Sequence, residues 1–252
     1  MSNKKWLIVL ALVAAFGLAT LGVVAALIWW FLTSGGRPVD YSLPVYTIQQ
    51  TDSTHPWYRR TTITSGTAVY VEDYEEYPLQ LANLDPTDAV GRTPVGGGKV
   101  CAIPGQKPTD YLTMDCGSEM PAYEVFRNSQ LPPFDWRNLK FQALSLAGPI
   151  GRTQQRQTKD PAVIEDVLRT LREGTPTTTP AALSVTITNI SRVNLVSDQL
   201  PGLVFSPAAY QDAAGSIWLT ESFAVEYINR TERIHARWIP AGPLFAKWAQ
   251  TP

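Results

Sequence analysis

Two cysteines and two histidines are the side chains of this 252-residue chain best suited to act as nucleophile or proton acceptor. They are Cys101, Cys116, His55 and His235. A cysteine thiolate is a strong nucleophile, and a histidine can accept the proton of the thiol. His55 precedes Cys116 along the chain, and Arg127 follows it shortly after. These three residues are therefore the candidates for thiol chemistry.

The segment 112–116 (LTMDC) resembles the T-L-x-T-C strand of the sortases. Sortases are signal-anchored, β-barrel, extracytoplasmic transpeptidases that use a histidine, a cysteine and an arginine. The order and rough spacing of His55, Cys116 and Arg127 are similar to that family, and the resemblance implies a thiol transpeptidase. The chain departs from the family at Asp115, because an acid beside the cysteine disfavours the thiolate. Its C-terminal part has no counterpart in sortases.

The same cysteines also support a different prediction. In an extracytoplasmic domain, an even number of cysteines indicates a disulfide framework. A bridge between Cys101 and Cys116 would close a loop for which chain entropy predicts about 3 kcal/mol of stabilisation. Two buried thiols are the alternative. The state of Cys116 therefore separates a thiol enzyme from a disulfide-bonded, non-catalytic domain.

Other chemistry is poorly represented in the sequence. The serine-hydrolase elbow, the zinc-protease helix motif and the phosphate-binding loop do not occur. The acidic run 72–76 (EDYEE) offers oxygen atoms to a hard cation, but it lacks EF-hand spacing and is typical of a solvated turn. We expect no metal and no cofactor. A net charge of −1 also provides no basic field for nucleic acid.

An uncharged apolar run from Trp6 to Leu32 predicts where the chain is located. As a helix it would be about 40 Å long, longer than the ~30 Å hydrocarbon core of a bilayer. A cleaved signal peptide has a shorter apolar core, so we expect an uncleaved signal anchor, with cleavage as the alternative. Lys4 and Lys5 precede the run, which places the N-terminus in the cytoplasm and the domain outside the cell membrane.

Small residues recur along one face of this run at spacings of three or four. They are Ala11, Ala15, Ala19, Gly22 and Ala26. Such stripes are found where membrane helices pack closely, although alanine and glycine are common in any membrane helix. Self-association through this face is therefore an open alternative. The bilayer and a protein or cell-envelope component are the other expected partners.

The rest of the chain predicts an α+β fold, in which the transmembrane helix precedes a β-rich extracytoplasmic region of two lobes. The 20 prolines and 17 glycines punctuate short β-branched and aromatic runs, as in strands joined by turns. The predicted segments are the cytoplasmic N-terminus 1–5, the anchor 6–32, a linker 33–44, a first lobe 45–174, a second linker 175–180 and a second, antiparallel β-rich lobe 181–252.

One amphipathic helix is predicted over 161–173. Asp160 is a good N-cap, and Pro161 suits the first helical position. The apolar residues that follow recur at helical spacing and form one stripe. Gly174 is expected to end the helix, before the breaker tract 175–180 (TPTTTP).

Two functions from different classes follow from these observations. The leading prediction is a membrane-anchored, extracytoplasmic binding or assembly module of the cell envelope that is not catalytic. The alternative is a sortase-like thiol transpeptidase that uses Cys116, His55 and Arg127. A disulfide favours the module, and a free, alkylatable Cys116 favours the enzyme.

Overall fold

The computed structural model describes residues 22–26, 29, 40–52, 59–72, 79–82, 88–94, 98–114, 125–148, 150, 156–177, 189–228 and 231–251. In these residues the protein is rich in β-strands and has few helices. Across the described ranges, no helix has both the length and the apolar character needed to cross a membrane. The predicted anchor lies outside these ranges except for 22–26 and 29, and so do Ala11, Ala15 and Ala19.

The first part of the chain supplies seven strands of one antiparallel sheet. They are β1 (Thr47–Asp52), β2 (Arg59–Ser65), β3 (Ala68–Glu72), β5 (Ala89–Arg92), β6 (Lys99–Ala102), β7 (Tyr111–Met114) and β8 (Val125–Asn128), while β4 (Leu79–Leu81) belongs to a second sheet. The order across the first sheet is β1-β2-β3-β8-β7-β6-β5. Gly66 turns the β2–β3 hairpin with a φ of +59°, a conformation that suits glycine.

The first sheet closes on itself into a barrel. Val45, just before β1, forms a parallel bridge with Arg92 at the end of β5. The backbone N–H of Tyr46 donates to the carbonyl of Arg92 at 2.8 Å, and the N–H of Arg92 donates to the carbonyl of Pro44 at 2.9 Å. The side chains that fill the interior are Ile63, Tyr70, Val100, Leu112, Met114 and Phe126.

Barrel closure depends on a close approach at Gly91. A Cβ atom at this position would lie 2.2 Å from Cε2 of Tyr46, so the tyrosine ring occupies the space of a side chain. The same ring lies 6.3 Å from the ring of Tyr70, measured between centroids. Glycine is therefore required here for packing.

We expect Gly91→Ala to lower the free energy of unfolding by about 1–3 kcal/mol, since the added methyl group overlaps the ring of Tyr46. Tyr46→Ala removes the obstructing ring. The double variant should therefore lose less stability than the sum of the single variants. Urea unfolding of the four proteins measures this coupling, and strictly additive losses would contradict the overlap.

The second sheet is also antiparallel. Its strands in the second half of the chain are β9 (Ala143–Ala147), β10 (Arg156–Thr158), β11 (Ile190–Val196), β12 (Leu203–Phe205), β13 (Ala208–Gln211), β14 (Ile217–Thr220) and β17 (Ile239–Pro240). The order is β10-β9-β11-β13-β14-β17, and β12 pairs with both β11 and β4. Two further strands, β15 (Phe223–Ile228) and β16 (Thr231–Ala236), pair with each other in a separate hairpin.

Beyond residue 40, two α-helices and one 3-10 helix complete the described elements. The residues predicted to be helical form α1 (Pro161–Glu173), and Oδ1 of Asp160 accepts a hydrogen bond from the N–H of Ala162 at 2.9 Å. α2 (Pro243–Gln250) packs beside α1, and the 3-10 helix is Trp136–Asn138. Both α-helices supply buried residues to the main core, which they share with the second sheet.

Gly174 ends α1 without the left-handed conformation that a terminal glycine often adopts. Its φ of −66° and ψ of 142° are extended. A Cβ atom here would lie 2.2 Å from Cγ2 of Ile239. The glycine is therefore needed for the close contact between the end of α1 and β17.

The second sheet takes strands from both sides of the predicted linker 175–180. β9 and β10 precede that linker, yet β9 pairs with β11 over five residue pairs, and α1 packs on the same sheet. β4, which lies before β8 in the chain, also belongs to the second sheet. The start of the linker is hydrogen-bonded to the residue before β17, since the N–H of Thr177 donates to the carbonyl of Trp238 at 3.0 Å.

Candidate functional site

Arg127, the arginine of the predicted catalytic set, lies in β8 and is 5 % exposed. Its Nη1 donates to the carbonyl of Asn128 at 3.2 Å and to the carbonyl of Leu131. Arg127 pairs with Tyr111, the first residue of β7. Cys116 comes two positions after Met114, the last residue of that strand. Three steps along a strand span about 10 Å. The guanidinium is therefore engaged in the turn after β8, away from the end of β7.

Cys101 lies fully buried in β6, opposite Thr113, and is disulfide-bonded. The described part of the chain contains no free cysteine. Cys116 lies outside the described residues, as does His55, so the Cys101–Cys116 pairing stays a prediction. The position of Arg127 adds no support to the transpeptidase alternative.

The acidic run 72–76 lies outside the described residues except for Glu72. The sequence predicts a solvated turn, but Glu72 is 5 % exposed at the end of β3. It is paired with Phe126, so strand alternation places it on the interior side of the barrel. Where the structure is described, no group of three or more histidine, cysteine or acidic residues could hold a metal ion.

A site that the sequence did not predict lies around Trp136. We call it the Trp136 site, and its members are Asp135, Trp136, Arg137, Phe205 and Glu221. Oδ1 of Asp135 accepts a hydrogen bond from the N–H of Arg137 at 3.0 Å, which starts the 3-10 helix. Nη2 of Arg137 donates to Oε1 of Glu221, in the connection after β14, at 3.1 Å.

Aromatic packing fixes the centre of the Trp136 site. The Trp136 ring stacks on Phe205 of β12, with centroids 5.2 Å apart and planes inclined by 11°. The guanidinium carbon of Arg137 lies 4.9 Å from the centre of the indole, and that of Arg172 on α1 lies 6.0 Å away. Cations at this distance are attracted to the indole. Residues from three separate elements, the 3-10 helix, β12 and α1, therefore meet at one tryptophan.

Burial raises the pKa of Glu221 above its ordinary value of 4.5. The charge of Arg137 opposes this increase, and the negative charge of Asp135 adds to it. The pKa values of Asp40 and Asp212 are lowered by hydrogen bonds, so the shift of Glu221 has the opposite direction. Perturbed carboxyl groups are concentrated at functional sites, although structural ion pairs also produce them.

The indole N–H of Trp136 is a second unusual group. It is buried and has no hydrogen bond of normal geometry, although it is near enough to Glu221 to lower the pKa of that carboxyl somewhat. A buried donor without an acceptor costs about 1–3 kcal/mol, so native proteins usually satisfy it. Here the carboxyl group of Glu221 is the acceptor that lies near it.

The Trp136 site is suited to recognition. Its polar members can be reached from solvent, since the side chains of Asp135, Arg137 and Glu221 are 45 %, 39 % and 24 % exposed. They offer a guanidinium and two carboxyl groups beside a buried indole, and none of them is a nucleophile of the kind used in acyl transfer. The sequence could have shown the local turn at 135–138, but Glu221 is 84 residues further along the chain.

The raised pKa of Glu221 predicts a pH-dependent stability. A carboxyl group that is more basic in the folded than in the unfolded chain stabilises the fold at low pH. This contribution is complete below about pH 4.5, the ordinary pKa, and is lost as pH rises through the raised value. Glu221→Gln imitates the neutral acid at every pH. The unfolding free energy of this variant minus that of the parent should therefore increase as pH rises across this interval.

Urea unfolding at a series of pH values measures the Glu221 effect. Arg137→Ala provides the control, because it removes the positive charge that lowers the pKa of Glu221. In that background the upper end of the interval should move to higher pH. A constant difference between Glu221→Gln and the parent, or a move to lower pH, would contradict the assignment.

Comparison with known proteins finds no matching family model, no matching curated protein and no matching solved structure. The function of this chain is therefore inferred from its own residues and their geometry.

Proposed function

We propose that this protein is a membrane-anchored, extracytoplasmic binding or assembly module of the cell envelope, and that it is not an enzyme. The uncharged run from Trp6 to Leu32 supports the anchor, and Lys4 and Lys5 support a cytoplasmic N-terminus. The disulfide-bonded state of Cys101 supports the outside location, since disulfides are rare in the reducing cytosol. The proposed organisation is one membrane helix followed by two β-rich lobes.

The solvent-accessible guanidinium of Arg137, held 4.9 Å from the centre of the Trp136 indole, is the observation that carries the binding role. A partner that places a carbonyl or carboxylate oxygen beside this cation would be attracted to it. A peptide segment of an envelope protein offers such oxygens at every residue. The proposed partner is therefore a protein.

Photocrosslinking in living cells tests the binding role. A photoreactive amino acid at Lys140, which is exposed near the Trp136 site, should give a discrete crosslinked product. Arg137→Ala should reduce the yield of this product, because it removes a donor to the partner. A photoreactive residue at Ala213, exposed at the other end of β14, is the matched control. Equal yields with and without Arg137 would overturn the Trp136 site as the binding site.

Protease accessibility tests the anchor and its orientation. In intact cells or spheroplasts, external protease should digest the domain after Arg37 and leave the anchor in the membrane. Release of the domain into the medium would show cleavage instead. A domain that is protected in sealed cells and digested only after lysis would overturn the orientation.

A further inference from the structure

Exposed apolar side chains are concentrated at one end of the barrel. Among the described residues outside the proposed anchor, five large apolar side chains are exposed, and four of them lie between residues 41 and 69. Tyr41, Val45 and Val69 are 73 %, 41 % and 36 % exposed. Such a concentration on a small domain marks an interaction surface more often than scattered single residues do.

Three of these side chains belong to one outward surface. Thr47 at the start of β1 pairs with Thr64, and Thr64 pairs with Val69 at the start of β3. Val45 is two residues before Thr47, so strand alternation places it on the same side, while Tyr46 between them packs in the barrel. We call Tyr41, Val45, Thr47, Thr64 and Val69 the β1-start patch.

Tyr41 is held on the barrel although it is largely exposed. The guanidinium carbon of Arg92 lies 5.2 Å from the centre of its ring. The chain around it is also ordered by Asp40, whose Oδ1 accepts a hydrogen bond from the N–H of Ser42 at 2.9 Å. Tyrosine and arginine both combine an apolar body with a polar tip, which suits the boundary between lipid and water.

The length of chain before Asp40 limits how far this surface can be from the membrane. The proposed anchor ends at Leu32, eight residue steps before Asp40. Fully extended, eight steps span at most about 28 Å. From Pro44 onwards the chain is hydrogen-bonded to β5. The start of β1 is therefore the part of the barrel closest to the anchor along the chain.

We propose that the β1-start patch rests on the interfacial region of the bilayer that holds the anchor. This inference depends on the proposed anchoring and adds an orientation to it. The end of the barrel at which β1 and β3 begin faces the membrane. The opposite end, at which β1, β3 and β7 finish, faces the cell envelope.

Fluorescence of the full chain in phosphatidylcholine vesicles tests this orientation. Single cysteines introduced as Tyr41→Cys, Val69→Cys and Gln49→Cys are labelled with an environment-sensitive fluorophore. Gln49 is exposed further along β1, on the same side of the strand as Thr47, and is the matched control. The parent chain, treated in parallel, gives the background from native thiols. Lipids with a nitroxide in the headgroup region act as the quencher, and flotation on a density gradient reports membrane attachment.

The labels at residues 41 and 69 should emit at shorter wavelength in vesicles and lose most of their emission to the nitroxide lipids. The label at residue 49 should lose much less. If the chain floats with the vesicles but residues 41 and 69 are quenched no more than residue 49, the orientation is overturned and the anchor stands. If the chain does not float, the proposed anchor fails, and the orientation fails with it.

Discussion

Replacing Asp166 by alanine should lower the free energy of unfolding by about 2–4 kcal/mol, because its buried carboxylate caps a second helix. Asp166 lies in α1 and is 2 % exposed. Its Oδ2 accepts hydrogen bonds from the backbone N–H groups of Leu244 and Phe245, each at 3.0 Å. These groups belong to the first turn of α2, where Gly242 provides no side-chain cap. Without Asp166 they lose their acceptor in a largely buried setting.

The other partner of Asp166 provides the matched control. Nη2 of Arg169 lies 2.7 Å from Oδ1 of Asp166, but the arginine side chain is 56 % exposed. Because such a pair is screened by water, Arg169→Ala should cost about 0–1 kcal/mol. Asp166→Asn should fall between the two alanine variants, since its amide keeps one acceptor oxygen.

Urea unfolding followed by tryptophan fluorescence measures the three free energies. If Arg169→Ala proves as costly as Asp166→Ala, the ion pair and not the cap is the main contribution of Asp166. The tight fit at Gly242 allows an independent check, because a Cβ atom there would lie 2.3 Å from Oδ2 of Asp166. Gly242→Ala should therefore destabilise the protein in the Asp166 background and much less in the Asp166→Ala background.

The two α-helices show which parts of the fold the sequence could predict. α1 has its N-cap, its proline and its apolar stripe within consecutive residues, so local patterns were sufficient to predict it. α2 takes its cap from a carboxylate 78 residues away. A local sequence pattern contains no sign of that partner, and the helix could be suggested only from its apolar composition.

The sheets show the same limit. The β2–β3 hairpin has a turn signal at Ser65 and Gly66, and it was predictable for that reason. The bridge between Val45 and Arg92, which closes the barrel, joins segments with no common local signal. Pairing between β9 and β11 crosses the proline and threonine tract that suggested a boundary. Turn residues reveal where a strand ends, but its partners depend on contacts distant in sequence.

The sequence indicated residues that could carry thiol chemistry but not the geometry of any site. Arg127 was singled out because it follows Cys116, but in β8 it bonds to the carbonyl of Leu131 in the next turn. The ion pair of Arg137 with Glu221 was not predicted, since nothing near either residue indicates the other. The raised pKa of Glu221 results from burial, which depends on the packed fold.

Replacing either cysteine by serine should lower the free energy of unfolding by about 2–4 kcal/mol, and by the same amount for both. Cys101 is disulfide-bonded, and Cys116 is the one other cysteine that the chain contains. A bond between them would close a loop of 15 residue steps, for which the chain-entropy model predicts about 3 kcal/mol. Both variants remove the same bond, so their losses should agree, and the double variant should lose no more than either.

The transpeptidase alternative predicts a different pattern for the same variants. Cys116→Ser would abolish activity and hardly change stability, while Cys101→Ser would leave activity largely intact. Alkylation without reductant, followed by mass spectrometry, distinguishes the two directly. No labelled thiol is expected in the native chain, and two should be labelled after reduction. Two labelled thiols before reduction would refute the disulfide and favour the enzyme, because a free Cys116 could then serve as the nucleophile.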